Sequence, residues 1–284
     1  MTHLKIEKVS KQFGKMEVLK EINLDFRGNK IYGLLGRNGA GKTTLVNIMT
    51  QRIQASHGEV SLDGESVVNN DQILQKISST VVKDTLYNNM KIIKLMKLSA
   101  EIYEHFDIPY ALELASKFGL DVKKRVGNLS TGYRAILKVI LTMASKADVL
   151  IFDEPVLGLD ANHRDLFYRE LIALYEDHSC LMILCTHLIE EVEHIIEDVV
   201  IIKEGEILVA QDIASLTEKA YVVSGIKENI QEYIKDKRII ESREFGKQMV
   251  ATIFESEKKL NEISRLNLTI ESIELNQLFI QLTN

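Results

Sequence analysis

A glycine-rich segment over residues 33–45, GLLGRNGAGKTTL, is the strongest chemical signal in this sequence. It contains the spacing G-x-x-x-x-G-K-[ST], in which glycines let backbone N–H groups turn toward a polyanion at the start of a helix. Lys42 would reach the β- and γ-phosphates of a nucleotide, and the Thr43 hydroxyl would bind Mg²⁺. The predicted nucleotide-binding residues here are Gly36, Arg37, Asn38, Gly39, Ala40, Gly41, Lys42, Thr43 and Thr44.

A carboxylate at the end of a buried strand is a natural second ligand for magnesium. The run VLIFDE supplies one, because Asp153 follows four apolar residues that require burial. Glu154 stands beside it and should point elsewhere, where it could orient or deprotonate a water that attacks the γ-phosphate. The plain alternative, an ordinary polar strand end, is disfavoured by the phosphate-binding segment in the same chain.

The segment LSTGY, residues 129–133, predicts a second anion-binding helix start. Ser130 is a good N-cap, Gly132 permits close approach, and a helix N-terminus favours negative charge. One nucleotide needs only one such cradle. A second cradle makes sense if two chains meet head to tail and each caps the nucleotide of the other.

These segments require a layered fold that brings strand ends and helix starts together. Strands within residues 3–35 are followed by alternating helices and strands, the order typical of an α/β protein with a parallel sheet. Hairpins are predicted at Asp63-Gly64 and Glu204-Gly205. Helices are predicted over about 87–125 and over LIEEVEHII, residues 188–196.

Beyond about residue 216 the pattern changes to a β-α-β-β-α-β order, which is typical of small ferredoxin-like domains. We therefore expect a domain over 1–215, with a helical subdomain at about 85–135, and an accessory domain over 216–284. The accessory domain could serve dimerisation or regulation.

The bulk composition excludes several classes of protein. A net charge of −6 and a pI near 5.7 argue against a nucleic-acid-binding surface, and we expect no nucleic-acid partner. The apolar run CLMILC is far shorter than the roughly 20 residues of a membrane-spanning helix, and the N-terminus has no signal-peptide core. Cys180 and Cys185 lie five positions apart on a buried strand, so they should face opposite sides and not pair with each other.

Taken together, the motifs resemble those of the nucleotide-binding subunits of ABC transporters, over residues 1 to about 215. GRNGAGKT matches the Walker A motif, VLIFDEP matches Walker B with its glutamate, and LSTGY resembles the signature usually written LSGGQ. GLD resembles the D-loop and ends at Asp160, while His187 occupies the place of the switch histidine. The resemblance implies that Phe13 stacks on adenine, with a core phenylalanine as the alternative. The signature residues that act on the other chain's nucleotide would be Leu129, Ser130, Thr131, Gly132 and Tyr133.

The resemblance also implies a fold and a mechanism. The fold is α/β: a P-loop NTPase core with an antiparallel β subdomain and a helical subdomain, plus a small α+β C-terminal domain. ATP and Mg²⁺ would bind between the Walker A side of one chain and the signature of another, with Glu154 and His187 catalytic and Thr43 and Asp153 holding the metal. Closure of this homo- or heterodimer would drive transmembrane permease subunits at the cytoplasmic face of the cell membrane.

Two features depart from the family pattern. The Q-loop glutamine is missing, because alignment puts Val82 at its position, and neither Val82 nor Lys83 can ligate Mg²⁺. Asp84 could do so only in a shifted register. Tyr133 also replaces the last glutamine of the signature. Since the phosphate cradle, the magnesium carboxylate, the base and the histidine are all present, we expect hydrolysis to survive.

The segment FDIPYALELASKFGLDVKKRVGNLSTGYR resembles ABC-2 exporter subunits, near those that move peptides, lantibiotics or other antibiotics out of Gram-positive cells. Amphipathic peptide toxins such as phenol-soluble modulins are the most pointed expectation for the cargo. The rivals are a soluble ABC ATPase that remodels DNA or ribosomes and a regulatory subunit with weak hydrolysis. An apolar stripe is either the docking surface for a permease coupling helix or core: Ile92, Ile93, Met96 and Leu98.

Overall fold

The structure is a computed structural model that describes residues 1–80, 87–255 and 260–283. Val82, which the alignment puts at the position of the Q-loop glutamine, lies outside the described residues, as do Lys83 and Asp84. The chain forms two compact units: residues 1–187 with 195–210, and residues 188–194 with the chain from 211 onward.

An antiparallel sheet in the first unit has the strand order β2-β1-β4-β5. Buried and exposed side chains alternate along most of its two long strands, because one face packs on the core and the other meets solvent. The predicted Asp63-Gly64 turn joins β4 to β5 with positive φ at both residues, 54° and 85°, as a two-residue hairpin turn requires. The strands are β1 (His3–Phe13), β2 (Met16–Arg27), β4 (His57–Leu62) and β5 (Glu65–Ser66).

A second sheet in the first unit has six strands in the order β10-β9-β3-β8-β7-β6, and the predicted catalytic motifs lie along its strands. Its inner pairs β9-β3, β3-β8, β8-β7 and β7-β6 are parallel, so the carboxyl ends of these strands reach one edge. The strands β3 and β8 are buried along their whole length, as a sheet covered on both faces requires. The strands are β3 (Ile31–Leu35), β6 (Ile77–Ser79), β7 (Val149–Asp153), β8 (Leu181–Thr186), β9 (Asp198–Lys203) and β10 (Glu206–Asp212).

The helices of the first unit connect these strands, and four of the described helices begin at a side-chain cap. Asp107 caps α4 by accepting the Tyr110 N–H at 2.8 Å, and Pro109 occupies the first turn as predicted. No helix of the described residues is long and apolar enough to cross a bilayer. The helices are α1 (Lys42–Met49), α2 (Asp71–Leu74), α3 (Ile92–Ile102), α4 (Ile108–Lys117), α5 (Thr131–Ala144) and α6 (Ala161–Asp177), with a 3₁₀ turn at Val126–Asn128.

One continuous hydrophobic core joins the antiparallel sheet, α1 and the parallel sheet. It runs from Leu4 and Ile6 on β1 through Leu45 on α1 to Ile183 on β8, each at most 1% exposed. Cys180 and Cys185 are both buried and free, which agrees with the expectation that they do not pair with each other. This core fixes the loop before α1 against the ends of β7 and β8, which carry the predicted catalytic groups.

The predicted helix over residues 188–196 is wrong. The chain forms only a 3₁₀ turn at Ile189–Glu191, followed by further turns. Glu190 and Glu193 would repel each other across one helical turn, and a segment of nine residues is too short to be stable as a helix without packing.

The second unit contains the elements in the order α7, β11, α8, β12, β13, α9, β14 and α10. Its antiparallel sheet has the order β12-β13-β11-β14, and one face forms a separate core with α8 and α9 around Tyr221 and Ile230. The elements are α7 (Ile213–Glu218), β11 (Ala220–Ile226), α8 (Lys227–Tyr233), β12 (Ile239–Phe245), β13 (Gln248–Phe254), α9 (Leu260–Arg265), β14 (Thr269–Ser272) and α10 (Leu275–Thr283).

Candidate active site

The loop between β3 and α1 has the backbone geometry of a phosphate cradle. Gly41 is the N-cap of α1 with φ of 112°, a conformation that side chains rarely adopt. A Cβ on Gly41 would lie 2.7 Å from Leu19 Cδ2, so glycine is required both for conformation and for space. Arg37, Asn38 and Gly39 form the exposed turn of this loop, and Thr44 follows within the first turn of α1.

Lys42 is held inside the loop rather than extended into solvent. Its side chain is only 6% exposed, and Nζ donates a hydrogen bond to the Gly36 carbonyl oxygen at 2.6 Å. The same Nζ lies 3.4 Å from Glu154 Oε1. The lysine charge is therefore placed between the loop that begins α1 and the end of β7.

Thr43 and Asp153 meet across this gap. Thr43 Oγ1 donates to Asp153 Oδ2 at 2.7 Å, while the Asp153 N–H donates to the Thr80 hydroxyl at 2.8 Å. Burial raises the pKa of the Asp153 carboxyl, an effect that the Thr43 hydroxyl opposes. The second oxygen, Oδ1, is buried and has no hydrogen-bond partner among the described residues. A hydroxyl beside a carboxylate with one unpartnered oxygen is a donor set that fits Mg²⁺.

Glu154 and His187 form a direct pair at the ends of β7 and β8. His187 Nδ1 lies 3.0 Å from Oε1 and 2.9 Å from Oε2 of Glu154. An ionised carboxylate only accepts hydrogen bonds, so a hydrogen bond to ionised Glu154 requires the His187 tautomer that carries a proton on Nδ1. Glu154 has φ of 45°, in the left-handed region, and its N–H donates to the Cys185 carbonyl at 2.8 Å. Both predicted catalytic side chains are thus brought together with Lys42.

The segment LSTGY stands at the start of α5 in the predicted capped conformation. Ser130 is the N-cap, and its hydroxyl accepts the Tyr133 N–H at 3.3 Å. Ser130, Thr131 and Glu154 share the lining of a cavity of about 560 Å³, and no described residue of the phosphate-binding loop lines it. The segment therefore starts a helix beside the carboxylates without reaching the cradle of its own chain.

Phe13 and Asp160 lie apart from this cluster. Phe13 ends β1 and is 50% exposed, so it is not a core residue, and the Lys11 ammonium sits 4.9 Å from its ring centroid. Asp160 is the N-cap of α6 and accepts the His163 N–H at 3.0 Å.

Two contacts near the site were not predicted from the sequence. The Thr80 hydroxyl supports the backbone of Asp153, and His163 bonds the Asp160 carboxylate with Nδ1 at 2.8 Å. An aspartate followed three residues later by a histidine, directly before a predicted helix, is a signal that could have identified the second contact. Thr80 follows a three-residue strand and has no such signal.

The apolar stripe of α3 divides between core and surface. Ile92 and Met96 are fully buried, whereas Leu98 is half-buried and lines a cavity of about 630 Å³ together with Ile102 and Tyr103. Ile102 is 47% exposed. The core interpretation therefore holds for Ile92 and Met96, and the proposal of a docking surface stays a prediction for the less buried part of the stripe.

Comparison with known proteins agrees with the motifs. The family model described as ABC transporter matches residues 19–157. The lantibiotic transport ATP-binding protein SrtF of Streptococcus pyogenes is 30% identical over 243 residues, covering 84% of this chain and 99% of that protein. The bacitracin transport ATP-binding protein BcrA of Bacillus licheniformis is 30% identical over 213 residues, covering 73% of this chain and 69% of that protein.

Solved structures show the same fold. An ATP-binding subunit of an ABC transporter superposes with a TM-score of 0.67 at 18% identity, covering 75% of this chain and 91% of that chain. A dimeric bacterial ABC transporter cassette gives 0.65 at 21% identity, covering 74% and 98%. The predicted P-loop NTPase fold class is confirmed. By its similarity to SrtF over nearly the whole of that protein, this chain belongs to the ABC transporter family as an ATP-binding subunit, whose enzymatic activity is ATP hydrolysis coupled to transport.

Proposed function

We propose that this chain is the ATP-hydrolysing subunit of a membrane exporter, and that its cargo is a peptide, toxin or antibiotic. The convergence of Lys42, Thr43, Asp153, Glu154 and His187 at one edge of the parallel sheet carries the proposal. The names of the lantibiotic and bacitracin transport relatives support the class of cargo. An amphipathic peptide toxin of the phenol-soluble modulin type lies within that class.

In the proposed reaction the loop from Gly36 to Thr44 binds the phosphates of ATP through backbone N–H groups. Lys42 is already desolvated and directed into the loop, so it can neutralise the β- and γ-phosphates. Phe13, exposed at the end of β1, would stack on the adenine.

Glu154 accepts a proton from the attacking water. His187 holds the Glu154 carboxylate and also contacts the γ-phosphate. Their Nδ1–Oε separations of 2.9 and 3.0 Å support a paired role. Thr43 and Asp153 would hold Mg²⁺, which when bound offsets the charge of the β- and γ-phosphates. The unpartnered Asp153 Oδ1 supports this assignment.

A second chain completes the site in this proposal. Within one chain, Ser130 faces a cavity that no described residue of the phosphate-binding loop lines. The signature residues Leu129–Tyr133 would instead cap the γ-phosphate on a partner subunit, either a second copy or a related chain. The solved dimeric structure of a bacterial ABC transporter cassette with the same fold supports this arrangement.

Permease subunits would attach at the half-exposed side of α3. The cavity lined by Leu98, Ile102 and Tyr103 combines apolar surface with the polar Arg52 and Lys138, which suits an amphipathic coupling helix. This attachment would keep the chain at the cytoplasmic face of the cell membrane. We further propose that residues 216–284 are a separate accessory domain of ferredoxin-like topology, with the nucleotide-binding domain over 1–215.

Glu154→Gln tests the proposal because it removes the base and retains the shape. We expect ATPase activity to fall by about 10²- to 10⁴-fold and ATP to trap a dimer in size-exclusion chromatography. Wild-type turnover by this variant would refute the assignment of the base. His105→Asn, an exposed change in the helical region, is the control and should retain wild-type turnover.

The choice between a transport motor and a weakly hydrolysing regulatory subunit needs a second measurement. A motor should show ATPase activity that rises when permease subunits co-purified from the native membrane are present. Deletion of the gene should cause its cargo to accumulate inside cells. Activity unaffected by the membrane fraction, together with unchanged cargo levels, would favour the regulatory subunit.

A further inference from the structure

His163 connects two segments that would both face a partner subunit. The signature segment is residues 129–133, and the D-loop segment is Gly158–Asp160. His163 Nδ1 lies 2.8 Å from Asp160 Oδ2, while its backbone N–H donates to Oδ1 at 3.0 Å. One residue therefore binds both oxygens of the Asp160 carboxylate, although the Asp160 side chain is 64% exposed.

The other side of the His163 ring is held by aromatic residues. Phe118, only 1% exposed, stacks on it with centroids 6.1 Å apart and planes at 12°. Tyr133, the last residue of the signature segment, meets it edge to face at 6.0 Å and 69°. The ring thus joins the carboxylate of one segment to the tyrosine of the other.

A second contact between the two segments runs through the backbone. A Cβ on Gly132 would lie 3.1 Å from the Gly158 carbonyl oxygen, so the two chain segments pass each other closely. The signature and D-loop segments therefore contact each other through the His163 ring as well as through this close approach of the backbone, and the His163 contact depends on side chains that can be exchanged.

We propose that His163 is a positioning residue that holds the Asp160 carboxylate in register with the signature segment, so that both meet the partner subunit as one surface. This proposal rests on the proposed function, in which the signature acts on the nucleotide of another chain. It also gives Tyr133, where the family has glutamine, a role within its own chain. The His163 backbone N–H holds the pKa of Asp160 below its usual range, which keeps the carboxylate ionised and able to accept both bonds.

Two variants separate the two halves of the contact. His163→Phe retains a ring against Phe118 and Tyr133 and the backbone donor to Asp160, but loses the Nδ1 donor. His163→Asn retains a donor near the Nδ1 position but loses the ring. His105→Asn is the matched control, because His105 is an exposed histidine on the same unit.

The assay measures ATP-dependent dimerisation in the Glu154→Gln background by light scattering, with nucleotide affinity of the monomer measured separately. We expect His163→Phe to raise the dimer dissociation constant about tenfold, as the loss of a hydrogen bond to a charged group would. Affinity of the monomer for ATP should stay unchanged, which a general loss of structure would not allow. His163→Asn should restore part of the dimerisation.

A double-mutant cycle with Asp160→Ala completes the test. If His163 acts through Asp160, adding His163→Phe to Asp160→Ala should change dimerisation less than twofold, whereas independent effects would multiply. Wild-type-like dimerisation by His163→Phe, or multiplicative effects, would overturn the positioning role. Failure of the Glu154→Gln parent to dimerise with ATP would instead overturn the proposed function, on which the positioning role rests.

Discussion

The left-handed conformation of Glu154 leads to a prediction about stability at the position predicted to be catalytic. A residue with a Cβ costs about 1–2 kcal/mol in this region, and Glu154 has φ of 45°. Replacement by alanine or by glycine removes the same contacts with His187 and Lys42. The difference between Glu154→Gly and Glu154→Ala therefore isolates the backbone.

The size of that difference follows from two opposing terms. Glycine avoids the conformational cost of about 1–2 kcal/mol that alanine has in this region. Its larger freedom in the unfolded chain, however, lowers the free energy of unfolding by about 0.5–1 kcal/mol relative to alanine. We expect Glu154→Gly to be more stable than Glu154→Ala by about 0.5–1 kcal/mol. For a unit of this size the midpoint of thermal unfolding should be higher by roughly 1–4 °C.

Urea unfolding of the nucleotide-free protein, followed by circular dichroism, measures this difference. The same pair of substitutions at Glu113, an exposed residue within α4, is the control. There the sign should reverse, with glycine less stable than alanine by about 1 kcal/mol. Equal stability of the two Glu154 variants, or an advantage for alanine, would refute the claim that the fold holds this residue under strain.

Gly41→Ala should lose ATP binding in nucleotide titrations and more than about 2 kcal/mol of stability, because its Cβ would lie 2.7 Å from a leucine methyl. Thr43→Val should reduce Mg²⁺-dependent ATPase activity at least about tenfold, whereas Thr43→Ser should retain most of it. Cys180 and Cys185 should react with Ellman's reagent only on unfolding, since both are buried and burial raises the pKa of Cys180 to about 12. Burial raises the pKa of Tyr175 to about 12 in the folded protein. The neutral phenol therefore stabilises the folded state fully below about pH 10, and this contribution is lost as the pH rises through 12. Tyr175→Phe should therefore lose less stability between pH 9 and 12 in urea unfolding.

The parts of the site that follow from local chemistry could be predicted from the sequence. Lys42, Thr43 and Asp153 belong to motifs in which residue type and spacing already specify a turn, a helix start or a strand end. The structure brings Thr43 and Asp153 within 2.7 Å because the carboxyl ends of parallel strands share one edge with the helix start. That proximity is a consequence of sheet topology, which alternating strands and helices predict.

Contacts between distant segments could not be predicted in the same way. The stack of His163 on Phe118 and Tyr133 joins three elements through packing, and no spacing in the sequence encodes it. The positive φ of Glu154 could not be predicted from the sequence either, because glutamate is not a residue type that favours positive φ. The helix predicted after β8 was wrong for a different reason. An apolar period over only nine residues is too short to specify a helix, and the chain forms a 3₁₀ turn there.

The charged groups of the site satisfy one another in this structure, and this bears on how hydrolysis is controlled. Lys42 Nζ donates to the Gly36 carbonyl at 2.6 Å and lies 3.4 Å from Glu154 Oε1, while His187 holds the same carboxylate. Both oxygens of the Glu154 carboxylate are therefore engaged by a lysine and a histidine of the same site. Since the phosphates of ATP would compete for Lys42, nucleotide binding should draw the ammonium away from Glu154 and leave that carboxylate free to contact water in the proposed reaction. In the proposed arrangement the signature segment of the partner would then add the last contact, so turnover would depend on substrate and partner together.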